Sequence, residues 1–189
     1  GNQRMRSAGK AVPGAELKVI GEDGGELPCG EVGELICKSP SNMIGYWNLP
    51  DATRGALKDG WMHTGDAAYM DEDGYVYIQD RIKDMIISGG FNIYPRDIEN
   101  VIAEHPAVAE VAVIGVPHEK WGEAVHAVIV LKPGTSASEE ELCGPVAARK
   151  GNYQAPKSVA FVEAIPQTPV GKPDKKALRA QYAQAATAA

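Results

Sequence analysis

Four short groups of residues carry the side chains best suited to hold or activate a ligand. Thr64-Gly65-Asp66 sets a carboxylate directly after a glycine. A fixed aspartate of this kind can accept both hydroxyls of a ribose, although a turn aspartate bonding its own backbone is the commoner case for three such residues. Asp80-Arg81-Ile82-Lys83-Asp84 is a dense charge cluster. An arginine fork can hold ribose or phosphate oxygens and a lysine at a boundary can act as a hinge, whereas a solvated linker would show the same composition with ion pairs of little consequence. Gly89-Gly90 permits positive φ in a tight turn, and also lets a narrow ligand run close to the backbone. Val170-Gly171-Lys172-Pro173 places a lysine where it can neutralise developing phosphate charge or simply lie on the surface. This Gly-Lys pair is not a phosphate-binding P-loop, because the upstream glycine is absent and Pro173 stands where Ser or Thr is required.

The elements that must position these groups follow from periodicity and turn chemistry. Residues 1–60 read as strand-rich: Ala15 to Ile20 and Glu31 to Lys38 alternate apolar and polar residues around a GEDGG turn, and Asp51 to Leu57 starts a short helix. Ala68 to Met70 and Tyr75 to Ile78 flank Asp71-Glu72-Asp73-Gly74 as a second hairpin. The apolar pattern then stops, which predicts a domain boundary at 81–84 between residues 1–80 and 85–189. Beyond it, Met85 to Ser88 is a short strand ending in the glycine pair, and Pro95 opens a helix with Ile98, Val101, Ile102 and His105 on one face. Val108 to Val116 and Ala124 to Leu131 are apolar, β-branched runs expected to be adjacent strands covered by that helix. Ser138 and Glu141 form a capping box, after which Gly144-Pro145 is expected to interrupt the helix, with a restart at Pro145 left open. Ser158 to Val162 is a last strand and Asp174 to Ala186 a terminal helix, with the lysine loop lying before it at 166–173. The expected fold class is α+β.

Composition narrows the functional classes. A hydrophobic share of 44% with 23% charged residues suits a globular chain, and the longest apolar runs fall short of the roughly 20 residues of a membrane-spanning helix. A net charge of -6 argues against a dedicated nucleic-acid binder. Cys29, Cys37 and Cys143 lack close pairing, which predicts free thiols in a reducing, cytoplasmic setting. Four scattered histidines without HxxxH or CxxC spacing predict no metal site. The start at Gly1 predicts a removed upstream portion.

Taken jointly and in order, MIGYWNLPDAT, DGWMHTGD, GYVYIQDRIKDMIISGGFNIYPRDIE, AVIGVPHEKWGE and PQTPVGKPDKKALR resemble the C-terminal part of the adenylate-forming superfamily of acyl-CoA synthetases, peptide adenylation domains and luciferases. The resemblance covers nearly the whole chain. It implies a β-rich, partly barrel-like remnant of a large AMP-binding domain, followed by a small mobile domain with a mixed sheet and covering helices. The implied reaction has two steps. A carboxylate attacks the α-phosphate of ATP to give an acyl-adenylate, and the thiol of CoA then displaces AMP.

By the resemblance, Asp66 binds the ribose hydroxyls, Arg81 the ribose and phosphate oxygens, and Lys172 bridges carboxylate and phosphate in the first step. Lys83 takes the hinge position, and Gly89 and Gly90 line the pantetheine tunnel once the small domain has rotated. Mg2+ would accompany ATP without identifiable ligands here, and a small, fatty or aryl, carboxylic acid would be the substrate. The large N-terminal region of the same protein would be the partner, and without it the chain is expected to be inactive. Two departures stand out. Val170 and Pro173-Asp174 differ from the usual residues around the lysine, and Gly144-Pro145 and Lys150-Gly151-Asn152 break the usual amphipathic helix, leaving CoA-phosphate contacts by Arg149 or Lys150 open. The alternative functions are acyl loading of a carrier protein and a non-catalytic nucleotide- or partner-binding module.

Overall fold

Strand alternation builds the first sheet. In the computed structural model, which describes residues 4–186, β1 (Glu16–Ile20) and β2 (Gly33–Lys38) pair antiparallel with the buried Val19 opposite Leu35. A short helix, α1 (Pro50–Ala56), takes proline in its first turn, where no backbone N–H is needed. The two-residue β3 (Leu57–Lys58) follows, then β4 (Trp61–Met70) and β5 (Val76–Arg81). The sheet runs β1-β2-β4-β3, with β5 also on β4. Asp71 closes the β4–β5 turn by accepting the N–H groups of Asp73 and Tyr75 and the hydroxyl of Tyr77.

β4 extends well upstream of the expected Ala68, through His63-Thr64-Gly65-Asp66. These polar residues remain in the strand because both backbone edges are paired, to β2 on one side and to β3 and then β5 on the other. Register shifts beside Ala67 and opposite Glu34–Ile36 absorb the irregularity. The core of this unit is Val19, Leu35, Ala68 and Val76.

The chain divides into two units, Gly1–Lys83 and Asp84–Ala189, with a 3-10 turn over Ile82–Asp84 at the junction. In the second unit β6 (Ile86–Ser88) turns directly into β7 (Phe91–Ile93), a strand not expected from the sequence, before α2 (Pro95–Ala103). β8 (Val108–His118) and β9 (Gly122–Leu131) are antiparallel neighbours, as expected. α3 (Glu139–Lys150), β10 (Ser158–Phe161) and α4 (Lys175–Ala186) complete the unit. β10 lies parallel to β9, so the sheet is mixed, in the order β10-β9-β6-β7 with β8 on β9.

Helices cover both faces of this sheet, not one. Val113, Val125, Ala127 and Ile129 point to the side of α2 and α3, where they meet Ile98, Val101, Ile102, Leu142 and Val146. Ala112, Ile114 and Val128 point to the other side and pack with Leu178 of α4 and Ile165. This double cover explains why β8 and β9 read as continuous apolar runs instead of alternating ones.

The expected break at Gly144-Pro145 does not occur, and α3 is continuous with Pro145 inside it. Pro145 removes one intrahelical hydrogen bond and its ring crowds the preceding turn. Gly144 lessens the conflict, since the residue before a proline is disfavoured in α conformation partly through its Cβ. The helix is then held at both ends of the defect: Leu142 and Val146, one turn apart, are fully buried, and Ser138 and Glu141 form the predicted capping box. Tertiary burial overrides the local breaker.

Candidate functional site

Antiparallel pairing of β4 with β5 sets Asp66 directly opposite Arg81. Their side chains meet, Arg81 Nη1 lying 2.9 Å from Asp66 Oδ1 while also donating to the Thr64 carbonyl at 2.8 Å. The carboxylate of Asp66 keeps only 24% of its side-chain surface, whereas the guanidinium is more open. Asp66 is therefore a strand residue held by an arginine, and the simpler reading of a self-capping turn does not describe it.

The backbone leading to Asp66 is tethered from β2. Thr64 Oγ1 donates to the Leu35 carbonyl at 2.6 Å and accepts the Asp66 N–H at 3.1 Å. Glu34 accepts the Gly65 N–H at 3.1 Å through one carboxylate oxygen, and His63 Nδ1 lies 2.8 Å from the other. Gly65 has φ +69, a left-handed conformation in mid-strand that suits glycine. Glu34, His63 and Thr64 escaped sequence reasoning as supports of Asp66. Glu34 sits about thirty positions upstream, and no local spacing announces the pairing. On the other strand, the carboxylate of Asp80 accepts the Arg81 N–H at 2.7 Å.

Lys83 is exposed on the 3-10 turn at the junction of the two units. Gly89 and Gly90 form the two-residue connection between β6 and β7, with φ +58 and +84. Two successive positive φ values are what the tightest right-twisting hairpin turns demand, and they explain why both positions are glycine. The Gly89 N–H donates to the Trp121 carbonyl at 2.9 Å, and the carboxylate of Glu123 accepts the Ile87 N–H at 2.8 Å, tying this hairpin to β9.

Lys172 ends a second tight loop. Thr168 accepts the Gly171 N–H at 2.9 Å and donates its own N–H to the Lys172 carbonyl at 2.7 Å, with Gly171 at φ +74. That is a three-residue hairpin connection, closed further by Thr168 Oγ1 accepting the Lys172 N–H. It leaves the Lys172 side chain exposed.

The structure thus brings Asp66 and Arg81 into direct contact in the first unit, and sets Lys172 and the glycine pair on two separate hairpins of the second. Arg149 pairs with Glu104, at the C-cap of α2, at 2.6 Å, and Lys150 with Asp97 of α2 at 2.9 Å. Among the described residues no cluster of three or more His, Cys, Asp or Glu side chains has the arrangement to hold a metal ion. No helix is long and apolar enough to cross a membrane among the described residues.

Comparison with known proteins gives a consistent answer. The AMP-binding enzyme C-terminal domain matches residues 97–172, and the AMP-binding enzyme family matches residues 1–47. A medium/long-chain-fatty-acid–CoA ligase, FadD8 of Mycobacterium tuberculosis, is 50% identical over 187 residues, covering 95% of this chain and 33% of the relative. A fatty acid–[acyl-carrier-protein] ligase, ScoC of Streptomyces coeruleorubidus, is 46% identical over 182 residues, covering 96% of this chain and 35% of the relative. Among solved structures, the amide bond synthetase McbA of Marinactinospora thermotolerans superposes with a TM-score of 0.87 at 40% identity, covering 96% of this chain and 37% of McbA. The chain spans about a third of the length of the curated relatives it matches.

Proposed function

We propose, from the premise that the chain belongs to the adenylate-forming AMP-binding enzymes, that it is the C-terminal part of an acyl-CoA ligase acting on a fatty acid. The observation that carries the reading is the Asp66–Arg81 contact across β4 and β5, a carboxylate held in place beside an arginine with N–H donors to spare. Asp66 accepts the two ribose hydroxyls of ATP, and Arg81 both fixes Asp66 and donates to ribose and phosphate oxygens. The substrate carboxylate oxygen attacks the α-phosphorus, the bond to the bridging oxygen breaks, and pyrophosphate leaves. Lys172 stabilises the negative charge shared by carboxylate and phosphate in that step, where preorganised positive charge acts most strongly.

In the second step the CoA sulfur, having lost its proton, attacks the acyl carbon and the bond to the phosphate oxygen breaks, releasing AMP. The exposed Gly89–Gly90 hairpin presents backbone without side chains, which suits the approach of a narrow pantetheine arm. The second unit therefore uses its two hairpins in turn, with Lys83 as the pivot residue. The remaining length of the protein supplies the acyl pocket and the rest of the nucleotide site. Exposed Ile44, Trp47 and Leu49 on the first unit form an apolar stretch suited to packing against it. Three free thiols suit a cytoplasmic setting.

The fatty acid and CoA are supported by the likeness to the fatty-acid–CoA ligase FadD8 of Mycobacterium tuberculosis. The carrier-protein ligase at 46% identity favours a second reading in which the acceptor is a holo-carrier. Incubating the full-length protein with ATP and a fatty acid, with CoA in one arm and a holo-carrier protein in the other, separates them. Acyl-CoA formation is expected; acylation confined to the carrier would select the second reading, and AMP release in neither arm would remove both.

A further inference from the structure

Two of the three cations of α4, Lys175 and Arg179, lie one turn apart, and each is pinned by a carboxylate from a different element. Lys175 Nζ lies 2.7 Å from Glu99 Oε1, with the two side chains only 14% and 19% exposed. The same Glu99 oxygen accepts the N–H of Val113 at 2.8 Å, so the pair joins α4 to both α2 and β8. Arg179 Nη2 lies 3.0 Å from Asp84 Oδ1, the side chains being 31% and 14% exposed, which ties α4 to the turn that enters β6. Leu178 is fully buried between them.

The Lys172 hairpin hangs from this helix. Asp174 caps it, accepting the Ala177 N–H at 3.0 Å, and the Asp174 N–H donates back to the Pro166 carbonyl at 2.7 Å, closing the loop at its base. Where α4 sits therefore decides where Lys172 sits. Apolar packing through Leu178 and Tyr182 fixes the depth of the helix, but such contacts are non-directional. Ion pairs are directional and can set its axial and rotational register, whereas a largely buried pair is weak evidence of net stabilisation.

We propose that Lys175 and Arg179 are positioning residues for the first half-reaction, holding α4 in the register that places Lys172. The proposal rests on the reading of Lys172 given above. It also implies selectivity, which Lys175 reads most cleanly: the Gly89–Gly90 hairpin is held to β9 through Trp121 and Glu123, whereas Arg179 reaches Asp84 at the turn that enters β6.

The test uses the full-length protein and two assays: ATP–pyrophosphate exchange for adenylation, and thioester formation from supplied acyl-adenylate and CoA. Lys175→Met and Arg179→Met are expected to lower the adenylation kcat about tenfold through misplacement of a catalytic group, with KM for ATP within about twofold. Thioester formation by Lys175→Met should stay within about twofold of wild type, and Arg179→Lys should recover part of the adenylation loss of Arg179→Met. Parallel loss of both half-reactions in Lys175→Met, or wild-type adenylation in both Met variants, would overturn the proposal. If Arg179→Met fails to fold with Asp84 left unpaired, Lys175→Met and Arg179→Lys decide alone. Lys172→Ala run alongside separates the two levels: unaffected adenylation there removes the role of Lys172 itself, while loss there with wild-type rates in Lys175→Met removes only the positioning role.

Discussion

Asp66 is held by contacts that its own neighbourhood in the sequence does not announce. Its type and glycine neighbour leave a self-capping turn the commoner reading and the ribose role comes only from the resemblance, whereas Arg81 and, through the Gly65 N–H, Glu34 reach it from the neighbouring strands and leave no mark in local spacing. Asp66→Asn keeps the shape and removes the charge. In the full-length enzyme this change should cost about 10- to 100-fold in kcat/KM for ATP, the scale of a charged hydrogen bond, with the melting temperature nearly unchanged because the pair with Arg81 is partly exposed. A normal kcat/KM would remove Asp66 from the nucleotide site.

His126 carries a prediction of another kind. It is buried on β9, with Nδ1 2.7 Å from Ser158 Oγ, its ring against Tyr182, and Nε2 without a hydrogen-bond partner. Burial lowers its pKa below the usual value near 6.5. The unfolded chain then binds the proton more readily than the folded one, so stability should be full above that value and fall as pH drops below it. Replacing His126 with Gln should flatten the melting temperature against pH between about 6.5 and 5; an unchanged slope would assign the effect to other groups.

At the scale of elements, the sequence announced what depends on neighbours within a few residues. The β1–β2 hairpin, the turn at Asp71, the helix from Pro95 and the capping box at Ser138 were all legible because pattern and turn chemistry agree there. β7 was not, since three residues after a glycine pair carry too little periodicity to read. α3 was misread because the local rule for proline is real but smaller than the burial of Leu142 and Val146. The exposed Pro145 should therefore remain a cost to the helix. Pro145→Ala is expected to raise stability by up to about 3 kcal/mol on helix propensity, read as an increase in melting temperature. A decrease would mean that Pro145 relieves strain elsewhere in α3.

The whole molecule depends on pieces whose relationship no local pattern encodes. Periodicity and turn chemistry predict an α+β chain with β8 and β9 as adjacent strands, and the helices on both faces of the second sheet account for the continuous apolar character of those runs. The candidate residues are distributed over both units. Asp66 and Arg81 are joined by strand pairing, while Lys172 and Gly89–Gly90 occupy separate hairpins whose conformations are each set by glycines at positive φ.

That the two hairpins serve different half-reactions is tested by Lys172→Ala in the full-length enzyme. Adenylation measured by pyrophosphate exchange should fall by about 100-fold or more, as expected when a group stabilising the transition state is removed, while transfer from supplied acyl-adenylate to CoA should stay within about threefold. Equal loss of both half-reactions, or adenylation that survives the substitution, would contradict it.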